Sequence, residues 1–269
     1  MIISKLFSSY RLLISLIALF FLSNYSFAQT KYNFKTLTND IEDVAKQPSN
    51  WDKNDWLTIL GVVGLTYGTM YLDESVRESV LNNDNHRNSI PIEFGRIWGE
   101  PWTIVAIGGS FYIHGIATDN NANKKLGFEI GESALFSSII TLFFKYSFGR
   151  ERPRENSNPF SFYPLSFKQN NFLSLNSGHT ALAFSLSTVL AKNTSNDYLK
   201  VALFVPAFMT AFSRVYQNHH WTSDVLLGGI IGYSVAEFVT RLHNSKSSNK
   251  SDLLELQAPI NLFDFRIPF

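Results

Sequence analysis

The chain's densest proton-transfer chemistry lies in His219-His220-Trp221-Thr222-Ser223-Asp224. A carboxylate bonded to one imidazole nitrogen fixes the tautomer and leaves the other nitrogen as a base, a nucleophile or a metal ligand. If a helix starts here, His220 and Asp224 share a face, and His219 points about 100° away from His220. Ser213-Arg214 stands just upstream, at the end of an apolar run. A second segment, Asn176-Ser177-Gly178-His179, precedes the apolar run that begins at Thr180. Asn or Ser caps a helix, Gly admits a ligand to the backbone, and the free N–H groups of a helix start attract an anion. His179 would give or take a proton beside that anion. The third segment, 145–154, holds Lys145, Arg150, Arg152 and Arg154 where another apolar run stops. Taken singly, each segment has a plain structural explanation as a helix cap or a favourable charge on a helix dipole.

Their meaning depends on the elements that carry them. Apolar blocks at 56–72, 102–118, 128–148, 180–191, 199–216 and 225–242 lack the period-2 alternation of half-buried strands. They predict an all-α fold, a bundle of about six helices with the active site at one end. Longer polar connections fall at 73–100 and 149–176, the second broken by Pro153, Pro159 and Pro164. Gly61, Gly64 and Gly68, and Gly228, Gly229 and Gly232, are expected to permit close helix crossings, and Tyr216 and Trp221 to pack. In an up-and-down bundle the end of the third helix, the start of the fourth, the end of the fifth and the start of the sixth lie on one face. That face gathers two histidines, a carboxylate and at least three cations, the groups that phosphoryl transfer by electrostatic stabilisation needs.

Lys145, six residues, Arg152-Pro153; Ser177-Gly178-His179; and Ser213-Arg214, five residues, His220, three residues, Asp224 together resemble the three-part signature of the type 2 phosphatidic acid phosphatase superfamily. That group holds lipid phosphatases, bacterial acid phosphatases and vanadium haloperoxidases, and the resemblance covers about 56–242. It implies that Lys145, Arg152 and Arg214 bind phosphate oxygens, with Ser177 and the Gly178 N–H completing the cradle. It further implies that His220 attacks phosphorus, that Asp224 orients the ring, that His179 protonates the leaving oxygen, and that no metal or other cofactor takes part. Arg150 and Arg154 fall outside the signature and are expected to matter less. Asn176 stands where the family usually has proline; it is expected to cap the helix and alter loop rigidity.

Composition sets limits. With 269 residues, 45% of them hydrophobic, one sizeable domain is expected. A formal net charge of +1 argues against nucleic acid as a partner, and the absence of cysteine excludes disulfides and thiol chemistry. Residues 1–28 read as a signal peptide, with Lys5 and Arg11 before the apolar run and Ser26-Phe27-Ala28 at the cleavage site. A polar lead-in at 29–50 carries Ile41, Val44 and Ala45 at helical spacing, the phosphatase domain spans 51–244, and a polar, partly strand-patterned tail occupies 245–269. Mean hydropathy is −0.02, and Glu129 and Glu132 interrupt the third block. These features favour helices buried in protein or partly inserted, in an exported bundle of the bacterial cell envelope, soluble or membrane-associated, with the active face outside the cytoplasm. The resemblance implies a metal-independent phosphatase of phosphate monoesters acting through a phosphohistidine. The apolar, aromatic-rich helices around the site favour a lipid-linked phosphate or pyrophosphate, so the expected partner is a phosphorylated lipid or a small phosphate ester. Competing readings are an acid phosphatase for soluble esters, a vanadate-dependent haloperoxidase, a metal protein using His179, His220 and Asp224, and a non-catalytic phospholipid-binding protein.

Overall fold

A computed structural model describes residues 32–155, 158–165 and 170–247. The expected signal peptide and the strand-patterned end of the tail lie outside them. The chain forms two compact units, 1–45 and 46–269. The described helix of the first is α1 (Phe34–Ala45), the amphipathic helix expected there, started by Asn33, whose side chain accepts from the Thr36 N–H at 3.1 Å.

In the second unit the helices are α2 (Lys53–Leu81), α3 (Ile90–Trp98), α4 (Pro101–Ala117), α5 (Asn121–Phe148), α6 (Gly178–Lys192), α7 (Asp197–Ala202), α8 (Val205–Tyr216) and α9 (Thr222–Ser247). Their starts follow local chemistry. Asp52 and Asp55 form a capping box on α2; Asn120, Ser177 and Asn196 cap α5, α6 and α7; and α3, α4 and α8 take proline in the first turn. Helix α5 ends at Gly149, whose φ of 58° only glycine holds cheaply and where a Cβ would lie 1.8 Å from the Tyr163 carbonyl oxygen. The all-α class is as expected. The polar connection at 73–100 differs: it holds the last turns of α2 and all of α3, and the block at 199–216 is two helices, with Pro206 opening the second.

Helix α9 packs against α6, α5 and α2, α6 also against α5, α4 against α5 and α3 against α8. Ile104, Ile130, Leu182, Leu186, Val189 and Ala236 form the core. The α6–α9 crossing depends on glycine: a Cβ on Gly228 would lie 2.5 Å from the Ser177 carbonyl oxygen, and on Gly232 2.1 Å from that of Ala181. Gly61, Gly64 and Gly68 meet nothing within 4 Å, so the expected close crossing on α2 is not formed among the described residues.

The exterior corrects the burial argument. Apolar composition reflects burial in α6 and α9, where ten of fifteen α6 residues are buried. It does not in α2, α4, α5 or α8, which expose Leu60, Tyr71, Ile113, Phe143 and Phe208, each at more than 60%. Glu129 and Glu132, counted above against insertion, are buried inside. Asn121–Phe148, Asp197–Tyr216 and Thr222–Lys246 are long and apolar enough to cross a membrane.

Candidate active site

Four helix ends surround a cavity of about 460 Å³. The last turns of α5 supply Thr141 and Lys145, the start of α6 supplies Gly178 and His179, α8 ends just after Arg214, and the turn before α9 presents His219 and His220. Arg152 and Arg154 reach in from the connection after α5, and Pro101, Leu142 and Leu182 make an apolar flank. Asn218, with φ at 57°, reverses the chain between α8 and α9, a left-handed conformation that Asn tolerates better than most residues.

The His219 and His220 N–H groups both donate to the Arg214 carbonyl, at 3.0 and 3.3 Å, so this pair belongs to a turn and not to a helix. Both rings therefore border the cavity, contrary to the helical register. They differ in their partners. The His220 Nδ1 is 3.6 Å from Asp224 Oδ2, and its Nε2 is 3.5 Å from an Arg152 guanidinium nitrogen. A separation of 3.6 Å is long for a hydrogen bond, as is common at catalytic pairs before substrate tightens them. His219 instead has Arg154 at 3.4 Å from its Nδ1. Burial pushes the His220 imidazole well below its ordinary pKa, Lys145 and Arg152 push it further, and Asp224 opposes them. His219 is pushed down to about 4 by burial and by Arg214, Arg154 and Arg152. Both rings are thus neutral at pH 7, with the lone pair that a nucleophile or base requires.

Asp224 is fully buried and its oxygens are committed: Oδ1 accepts from Arg150 at 2.6 Å, and Oδ2 from the Ser174 hydroxyl at 2.5 Å and the Trp221 N–H at 3.0 Å. Lys145 donates to the Leu173 carbonyl at 2.5 Å, Arg152 to that of His219 at 3.0 Å, and Arg214 to the Gln217 side chain. These contacts aim the three cations at one space. His179 lies 3.5 Å from the carboxylate of Glu100, which also holds Arg96 at 2.5 Å. His179 and Arg96 keep that carboxyl below the usual range.

Two expected residues differ. Ser177 is buried and does not line the cavity; its Oγ caps α6, accepting from the Thr180 hydroxyl at 2.9 Å and the Thr180 N–H at 3.4 Å. Asn176 caps nothing, because the cap is one residue later; it is buried, with its amide donating to Thr141 at 3.3 Å. Gly178 does line the cavity, and a Cβ there would meet only the Thr141 methyl at an ordinary 3.5 Å, so packing alone does not demand glycine. Tyr216 and Trp221 are buried packing residues, as expected.

Four participants were not legible in the sequence. Arg150 is not peripheral: it is wholly buried, and it pairs with Asp224 and with Asp73 of α2. Arg154, also placed outside the signature, lines the cavity. Asp73 and Glu100 carried no signal of their place here, since Arg150 and His179, the groups they meet at the site, lie far along the chain. The only cue was a carboxylate inside, or beside, an apolar run.

The cavity gathers converging cations, a carboxylate-backed imidazole and a second histidine, an arrangement suited to holding an anion. Residues 126–248 match the family model of the PAP2 superfamily. Over 95 residues the chain is 38% identical to a lipid A 1-phosphatase of Porphyromonas gingivalis, covering 35% of this chain and 18% of that protein. Over 109 residues it is 30% identical to an undecaprenyl-diphosphatase of Sulfolobus acidocaldarius, covering 40% of this chain and 51% of the relative. The chain thus spans about half or less of the length of these curated relatives. Among solved structures, a transmembrane PAP2-type phosphatidylglycerolphosphate phosphatase of Bacillus subtilis shares the fold, with a TM-score of 0.51 and 19% identity over 73% of this chain and 98% of that one.

Proposed function

We propose that the protein is a membrane-embedded phosphatase that hydrolyses a lipid-linked phosphate through a phosphohistidine. The observation that carries this reading is the one cavity that Lys145, Arg152, Arg214 and His179 line together with His220, itself backed by Asp224. The cations and the Gly178 N–H hold the phosphate oxygens. The His220 Nε2 lone pair forms a bond to phosphorus as the ester P–O bond breaks, and the leaving oxygen takes a proton from His179. Water, deprotonated by the now neutral His179, then attacks phosphorus and releases inorganic phosphate and free His220. The cationic site and Asp224's commitment to Arg150, Ser174 and Trp221 argue against a metal held by His179, His220 and Asp224.

The lipid substrate class rests on the exposed apolar surfaces of α2, α4, α5 and α8, which suit hydrocarbon and not water, and on the matches to two lipid phosphatases. We place the active face outside the cytoplasmic membrane, in the cell envelope. A phosphate-release screen of detergent-solubilised protein on lipid A 1-phosphate, undecaprenyl diphosphate, phosphatidic acid and a water-soluble ester tests the reading. Release from a lipid, unaffected by EDTA and blocked by orthovanadate, is expected. Release from the soluble ester alone would favour the acid phosphatase, and activity lost to EDTA and restored by zinc or magnesium would favour the metal centre.

A further inference from the structure

Arg150 and Asp73 form a buried bridge from α2 to the carboxylate behind His220. Arg150 donates through one terminal nitrogen to Asp224 Oδ1 at 2.6 Å and the Ser223 hydroxyl at 2.7 Å. Its other terminal nitrogen donates to Asp73 Oδ2 at 2.8 Å and the Pro159 carbonyl at 2.7 Å. Asp73 closes the loop: Oδ1 accepts from the Ser223 N–H at 2.9 Å, and Oδ2 from the Ser223 hydroxyl at 2.5 Å. The guanidinium lies over the rings of Phe162 and Trp221, 5.7 and 5.4 Å from their centroids. Asp73, Arg150 and Asp224 are almost wholly inaccessible to solvent. Asp73 lies outside the segment that matches the family model.

The charges give this arrangement a consequence. A cation 2.6 Å from Asp224 would, alone, cancel the negative charge that His220 needs as its ring becomes positive on bonding to phosphorus. Asp73, 2.8 Å from the same guanidinium, supplies a second anion, so the Asp73–Arg150–Asp224 group carries net −1 and Asp224 keeps its charge for the imidazole. Fixed dipoles and charges held in a buried site are screened less than in water and need no reorganisation during the reaction. The ladder also sets the angle of Asp224, because Ser223, its neighbour on α9, is gripped at both backbone and side chain.

We propose that Asp73 and Arg150 are positioning residues of the phosphatase, setting the geometry and net charge of Asp224 so that His220 can carry the phosphoryl group. The proposal rests on the phosphatase reading, and its test separates the two. Orthovanadate bonds to the nucleophilic nitrogen in five-coordinate form, whereas inorganic phosphate only fills the cradle. Asp73→Asn keeps the shape and removes the charge. Outer partners of a functional imidazole commonly carry about 10- to 100-fold in activity, so kcat and vanadate affinity should fall by about that factor, with KM and phosphate affinity held within about twofold. Vanadate and phosphate weakening together would mean a loosened cradle and overturn the proposal, as would no change in either. If Asp73→Asn does not fold, Ser223→Ala, which removes only the bridging hydroxyl, should show the same pattern at smaller size, and its absence there is equally decisive. Both affinities are measurable by equilibrium dialysis without turnover. A wild-type protein that binds both anions and hydrolyses no ester sinks the phosphatase reading while the affinity ratio still judges Asp73; one that binds neither overturns both.

Discussion

At the scale of single residues, the cavity separates groups held for the ligand from groups held for the protein. Gly178 belongs with the first. Its Cβ position is free of tight contacts, so Gly178→Ala should leave the melting temperature nearly unchanged while weakening phosphate inhibition, because the methyl group would project toward the bare N–H wall. Arg150, buried behind the cavity, also holds the protein together. Removing one partner of a buried ion pair strands the other, at a cost of about 3–5 kcal/mol, so Arg150→Ala should unfold at markedly lower temperature than Arg154→Ala, measured by thermal denaturation. His219 and His220 give a pH signature. Both are neutral in the folded chain and titrate near 6.5 when unfolded, so the unfolded state binds more protons below that pH. Their share of stability is present above about 6.5 and lost as pH falls toward 4, and the melting temperature should fall with it. A melting temperature that is flat between pH 7 and 4.5 in the wild type, or as steep in His219→Asn, would contradict this assignment. The motif residues were legible because their internal spacing is fixed by helix turns and caps. Asp73, Arg150 and Glu100 were not, because no local pattern announces pairing across 77 or 79 positions.

At the scale of elements, helix identity was readable from apolar runs, and helix ends were readable where a cap or proline marks them. Two kinds of error remained. Helix α3 is only nine residues long, which hid it in a region taken as a connection, and a one-residue shift of the α6 cap from Asn176 to Ser177 changed the role of both residues. Glycine shows the same limit: a glycine run on a helix permits a crossing without creating one. Gly228→Ala or Gly232→Ala should destabilise the protein and displace the Ser177–His179 turn, since the added carbon meets a backbone oxygen that cannot yield. Gly61→Ala meets nothing and should stabilise α2 by roughly 0.5–1 kcal/mol. Paired melting curves of the two sets decide the point, and equal destabilisation would mean that α2 packs more closely than its contacts show.

At the scale of the whole molecule, buried glutamates and exposed leucines, tyrosines and phenylalanines depart from the usual sorting between inside and outside, around an interior that still holds an apolar core. Mean hydropathy could not reveal this, because it averages the buried polar groups and loops with the apolar core and exterior. The orientation can be read directly because the chain has no cysteine. A single cysteine at Asn158, exposed in the connection beside the active face, should react with an impermeant maleimide in spheroplasts. A cysteine at Asn121, at the opposite end of α5, should react only after lysis. The reverse pattern would put the active face in the cytoplasm.

The central claim is that His220 carries the phosphoryl group, and the most direct measurement is alkaline quenching of the protein during turnover of labelled substrate, since phosphohistidine survives base and not acid. The account predicts label on the wild type and on His219→Ala, and none on His220→Ala. Label that persists in His220→Ala, or is lost in His219→Ala while that protein remains folded, would assign the nucleophile to the other histidine.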